Sequence, residues 1–152
     1  MATIEAFDAI RAFIEGDWDD AAPVACPLAW DNEPLSLPQP YGPSDPVTGI
    51  ATPNVWGRVL IDGDLLSMES IGTGEPDEER WDETGSVALT VFAPVKSGSR
   101  EIRAVLTAFA RLCRGPSGAI DFQDAHFDPI GVTDDSGNWW GMTVTVNWIR
   151  RG

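Results

Sequence analysis

Eight prolines fall between residues 17 and 53, and no other feature restricts the fold more. Proline fixes φ and removes a backbone donor, so it bars the interior of a helix and the middle of a sheet. The stretch reads as a long irregular segment, and a loop of that length inside a compact domain usually has a task. Its centre, PLAWDNEPLSLP (27–38), is too apolar for a solvated loop, because Trp30, Leu35 and Leu37 need cover. Pro34 biases Glu33 toward an extended backbone. Asn32 suits a bend held by a bond to its own backbone. Trp30 and Leu28 would then pin the segment to a sheet or to a neighbouring subunit, making it a brace.

The flanks carry regular periodicity. TIEAFDAIRAFIE (3–15) places Ile4, Phe7, Ile10 and Ile14 on one helical stripe, with Thr3 as N-cap and Gly16 as the stop. VWGRVLID and LLSMES read as two strands about a tight turn at Asp62-Gly63-Asp64, followed by an acidic connector, GTGEPDEE (72–79). Val87, Leu89 and Val91 alternate in a strand over 80–93 that ends at Pro94. Ile102, Val105, Leu106, Phe109, Leu112 and Cys113 define a second helix, capped by Ser97 or Ser99 and closed by Gly115. A short strand near AIDF, a loop through His126 and a turn at 134–138 precede a final strand with Met142, Val144, Val146 and Trp148 on one face. The expectation is a single α+β domain over 1–152. Its mostly antiparallel sheet has about four to five strands, with two helices on one face and the Pro-rich loop beside it.

Charge narrows the partners. The net charge is −14, and residues 1–79 hold 16 acids against Arg11 and Arg58, while 80–152 hold eight acids and eight bases. Phosphate and anionic lipid need clustered cations, so specific nucleic-acid binding and membrane binding are not expected. The opening residues, MATIEAFDAIRAF, lack a basic region followed by an apolar run, so no signal peptide is expected. Cys26 and Cys113 read as free thiols.

Little in the chain suggests catalysis. His126 is the sole histidine, and no Gly-x-Ser-x-Gly elbow accompanies it. One histidine and two distant cysteines do not make a zinc set. Asp19-Asp20 and Asp134-Asp135 sit in turn-like contexts, and Gly72-Thr73-Gly74 is followed by acids that would repel phosphate. Trp139 and Trp140 read as a core residue and a neighbour at a subunit contact. A non-enzymatic protein with no cofactor and no metal is the expectation.

The order and pattern of several segments resemble the tail-terminator (tail-completion) proteins of long-tailed bacteriophages and of gene transfer agents. The residues that carry the resemblance are Ala29-Trp30-Asp31-Asn32-Glu33-Pro34, Val55-Trp56-Gly57-Arg58-Val59, Gly85 to Pro94 with Gly98, Phe127-Asp128-Pro129-Ile130-Gly131, and Trp139 to Val144. The resemblance implies a structural virion protein, assembled in the host cytoplasm and placed at the neck end of the tail. It would form a hexameric ring that ends tail-tube polymerisation and offers a joint to the head-tail connector. DNA would pass through the ring without specific binding. On this reading Trp30, Asn32, Pro34, Trp56, Trp139 and Trp140 make subunit or partner contacts, and Asp62, Asp64, Glu75, Asp77, Glu78 and Glu79 face the lumen. Two other readings compete, a different neck or head-tail joining ring, and a monomeric acidic adaptor for a basic partner.

Overall fold

The computed structural model describes residues 1–68 and 81–151. Helix α1 (Ile4–Ala21) begins at Thr3, whose hydroxyl accepts from the Ala6 N–H. Glu83 reaches from the sheet to accept from both the backbone N–H and the hydroxyl of Thr3, at 2.8 and 2.5 Å. Gly16 does not end this helix. The chain runs one turn further, because the stripe that is buried is Ala6, Ile10, Ile14 and Trp18, and Trp18 can join it only if the helix continues. Ile4, expected on that stripe, is exposed.

The segment after α1 is less irregular than its prolines suggest. Strand β1 (Leu28–Trp30) lies parallel to β4 (Trp56–Met68), pairing Leu28 with Gly57 and Trp30 with Val59. Strands β2 (Tyr41–Ser44) and β3 (Ala51–Pro53) form a small antiparallel sheet of their own. Pro27 and Pro40 immediately precede strands, and Pro43 and Pro53 lie in the two-stranded ribbon, where a missing donor costs least. Pro23, Pro34, Pro38 and Pro46 lie outside the strands.

Asp62-Gly63-Asp64 is not a hairpin turn. β4 runs straight through it, and the register slips so that Gly63 faces Gly85 while Leu65 faces Thr84. Asp64 is the extra residue of a β-bulge. The N-terminal amine donates to the Gly63 carbonyl at 2.8 Å and pairs with Asp62 at 3.2 Å. A Cβ at Gly63 would lie 2.6 Å from the Met1 carbonyl oxygen. The Asp-Gly pair serves close approach of two backbones here, not chain reversal.

β5 (Trp81–Pro94) pairs with β4 on one side and with β9 (Trp139–Arg151) on the other. Between them come helix α2 (Arg100–Leu112), β6 (Gly115–Ser117), β7 (Ile120–Phe127) and β8 (Val132–Thr133). His126 lies in β7 opposite Thr145, not in a loop. Among the described residues the main sheet has seven strands in the order β1-β4-β5-β9-β7-β6, with β8 on the flank of β9. The fold is therefore α+β, and its sheet is antiparallel except at β1. The strand number exceeds the four to five expected, since β1, β2, β3, β6 and β8 are two to four residues long and too short for period-two alternation to register.

Alternation divides the sheet cleanly. Val87, Leu89, Val91 and Ala93 join Val144, Val146 and Trp148 beneath both helices in the main core. The opposite face carries Ser86, Ala88, Thr90, Thr143, Thr145 and Asn147, half-buried or exposed, and no described helix covers it. Cys26 and Cys113 are free and buried in the main core, where burial pushes both thiols up to about 12. Only the thiolate reacts. Both should resist a water-soluble disulfide reagent at pH about 8 and react within seconds after denaturation. Rapid labelling of the native protein would contradict this placement.

Candidate functional site

One end of the sheet collects residues from five distant segments. Asp31 and Asn32 form the bend after β1. Asn32 adopts φ 56, a left-handed conformation that asparagine tolerates, and the Glu33 N–H closes the turn on the Trp30 carbonyl at 3.1 Å. Left-handed backbone makes the bend, where a side-chain bond was expected. Beyond it Leu35 folds back onto Trp56, so Trp30 and Leu35 have their cover, but Leu37, expected to need it too, stays 48% exposed.

Trp30 belongs to the main core at 9% exposure. The Arg11 guanidinium stands 4.7 Å over its ring and bonds Glu33 and, at 2.8 Å, Glu15. These carboxylates, Glu33 first, hold the guanidinium above its ordinary range. One arginine thus ties α1 to the bend after β1.

On the other face of the sheet Trp56 stacks on Phe92 with ring centroids 4.6 Å apart and meets Trp139 edge-on at 6.1 Å. The three form a second, smaller core. Arg58 lies over both Trp56 and Phe92, at 5.8 and 5.6 Å. Between this cluster and the bend runs an open groove of about 610 Å³, floored by Trp56, Leu35 and Leu37 and rimmed by Asp31, Asp134 and Asp135. The Trp56 indole N–H is buried without an acceptor among the described residues, a cost of roughly 1–3 kcal/mol.

One carboxylate of the rim, Asp134, is held by a set of donors. Burial pushes the Asp134 carboxyl up, but donors from Ser136, Trp139, Gly137 and Asn138 outweigh it and hold the group below its ordinary value. The Trp139 N–H donates to it at 3.1 Å and the Ser136 hydroxyl at 2.8 Å. A carboxyl so depressed adds stability that is complete above its unfolded value of about 3.8 and is lost as pH falls through the lower folded one. The stability difference between wild type and Asp134→Asn, from urea denaturation, should therefore shrink between about pH 6 and about pH 2. A difference that is constant with pH would contradict the depressed carboxyl.

Of the residues singled out in the sequence, Trp30, Asn32 and Trp56 line this groove, Trp139 lies beneath it and Pro34 is exposed on its bend. Trp140 is elsewhere, on the helix side of the sheet, with its ring across Gly131. Asp62 and Asp64 sit at the bulge midway along β4, both exposed, and do not line the groove. Glu75, Asp77, Glu78 and Glu79 lie outside the described residues. Sequence reading missed Arg58, Phe92 and Asp135 as parts of one site. Only the pairing of Trp56 with Phe92 and of Phe92 with Gly141 brings them together. Among the described residues no group of three or more His, Cys, Asp or Glu is placed to hold a metal ion, and no helix is long and apolar enough to cross a membrane.

No protein-family model matches the chain, and no curated protein does. Solved structures do match. One, of a protein whose name carries no functional statement, superposes with a TM-score of 0.59 at 20% identity, covering 94% of each chain. At that identity the likeness shows a shared fold and nothing beyond it.

Proposed function

We propose that this protein is a structural virion component of the tail-terminator type, which assembles into a ring on the end of a tail tube and ends its growth. One observation supports the reading above the others. The segments that carry the resemblance are scattered from residue 29 to residue 144, yet in the fold they are neighbours. Val59 pairs with Leu89, Leu89 with Val144 and Val144 with Phe127, while Trp30 lies against Val59 from the other side. These positions are core, with Val59, Leu89 and Val144 at most 1% exposed. The resemblance is therefore one of a whole fold packed around a common centre, and it is that fold which supports the assembly reading.

The physical character of the molecule agrees. A sheet with one face free of described helices, bounded by short edge strands, offers groups that a neighbouring subunit can cover. Six copies at −14 each carry about −84, which favours passage of DNA without adhesion and opposes close association unless unlike charges meet at the contact. A direct test adds the purified protein to polymerising tail-tube protein and measures tube length by electron microscopy. Capped, shortened tubes are the expected result. Unchanged lengths at several-fold excess would refute the terminator reading and leave the neck-ring and adaptor readings.

A further inference from the structure

Half of the positive charge of this acidic chain lies along and beside one helix, α2. Lys96, Arg100, Arg103, Arg111 and Arg114 account for five of ten bases, with Glu101 the sole acid between 96 and 114. Arg100, Arg103 and Arg111 flank the small residues Ala104, Thr107 and Ala108 along a groove on the outer side of α2. None of the three has a carboxylate within ion-pair distance among the described residues, and the Arg103 guanidinium donates to the hydroxyl of Ser99 at 3.0 Å. Asp17, Asp19 and Asp20 at the end of α1 do not reach them, and Asp19 faces the β1 side. Arg103 also lines a second hollow with Phe127, Pro129 and Met142. Next to that hollow Phe127, Ile130 and Val132 stand 51, 71 and 44% exposed. Unpaired arginines around exposed apolar side chains are the composition of a protein contact.

The complementary surface is on the same chain. The groove rimmed by Asp31, Asp134 and Asp135 also holds Glu33 and Arg58. Its tryptophans are already covered, Trp30 by Arg11 and Trp56 by Arg58, so the excess of carboxylates is what it offers to an incoming arginine. We infer that the arginine face of α2, with Phe127 beside it, docks into the acidic groove of a second copy of this chain. The two surfaces lie on opposite sides of the sheet, since α2 covers the main core and the Trp56 cluster is on the other face. A twofold pair cannot satisfy both at once. The contact is head-to-tail, and successive head-to-tail contacts close into a ring when their rotation permits. The inference rests on the ring reading and names the contact that would build it, one that turns the uneven charge of the chain from an obstacle into the source of attraction.

The test is charge reversal with restoration, read by native mass spectrometry and negative-stain images, with circular dichroism to confirm folding. Arg100→Glu/Arg103→Glu and Asp31→Lys/Asp135→Lys should each weaken assembly by at least about tenfold. The chain carrying all four substitutions should regain it, because both signs are exchanged together. Rings that persist in both variants would overturn the inference and leave the ring reading standing. So would a loss of assembly that the fourfold variant does not restore. Wild type that stays monomeric even on tail tube would overturn both. Loss of binding to a DNA fragment by the arginine variant, with assembly intact, would reassign α2 to nucleic acid and overturn the inference alone.

Discussion

Replacing Trp30 by alanine should lower stability by about 3–5 kcal/mol, the usual cost of deleting a buried tryptophan. The residue closes the core where β1 meets β4, and it is also the surface on which Arg11 rests. Its loss therefore opens a cavity and releases the arginine that joins α1 to Glu33. Arg11→Ala alone should cost far less, on the order of 1 kcal/mol, since its partners are partly exposed. The two effects should not add, because removing either partner removes the same contact. Urea unfolding of the two single variants and the double variant measures this. A normal midpoint for Trp30→Ala, with assembly lost, would show that Trp30 serves a neighbouring subunit instead of its own core.

Gly85→Ala should be as damaging as many core truncations, roughly 3 kcal/mol, although it adds one methyl group. Gly85 faces the bulge in β4 and lies under Trp148. A Cβ there would fall 2.1 Å from the Asp62 carbonyl oxygen and 2.5 Å from the Trp148 ring. Shortening Trp148 cannot rescue it, because the first clash is with backbone. The strands must separate where the N-terminal amine is bonded, so amide exchange at β4 residues 60–66 should accelerate. A melting temperature within a degree or two of wild type would mean that the bulge yields more easily than its geometry implies.

The two strongest elements were legible because their periodicity is long. The arginine-flanked helix around Val105 and Phe109, and the last strand from Met142 to Trp148, each repeat their pattern several times. The Asp134–Asn138 turn was legible from composition, and Gly137 takes the positive φ that such a turn needs. Asp62-Gly63-Asp64 misled because local chemistry cannot distinguish a reversal from a bulge. The difference lies in Gly85, more than twenty residues away, and in the chain end packed alongside. Gly16 misled for a similar reason, since its cost within a helix is small beside the burial of Trp18. The groove was legible only in pieces. Trp30, Asn32 and Trp56 stood out by type, but Asp134, Asp135 and Arg58 look like ordinary surface charges until strand register assembles them.

The central claim is that this chain works as a ring at the end of a tail tube, and the copy number tests it most directly. Native mass spectrometry of the purified protein should be run across concentration, alone and after release from polymerised tail tube. The account predicts a closed species of six copies in at least the tube-derived sample, strengthened at low salt where unlike charges attract across the contact. A strict monomer in both samples, with no retention on the tube, would contradict it.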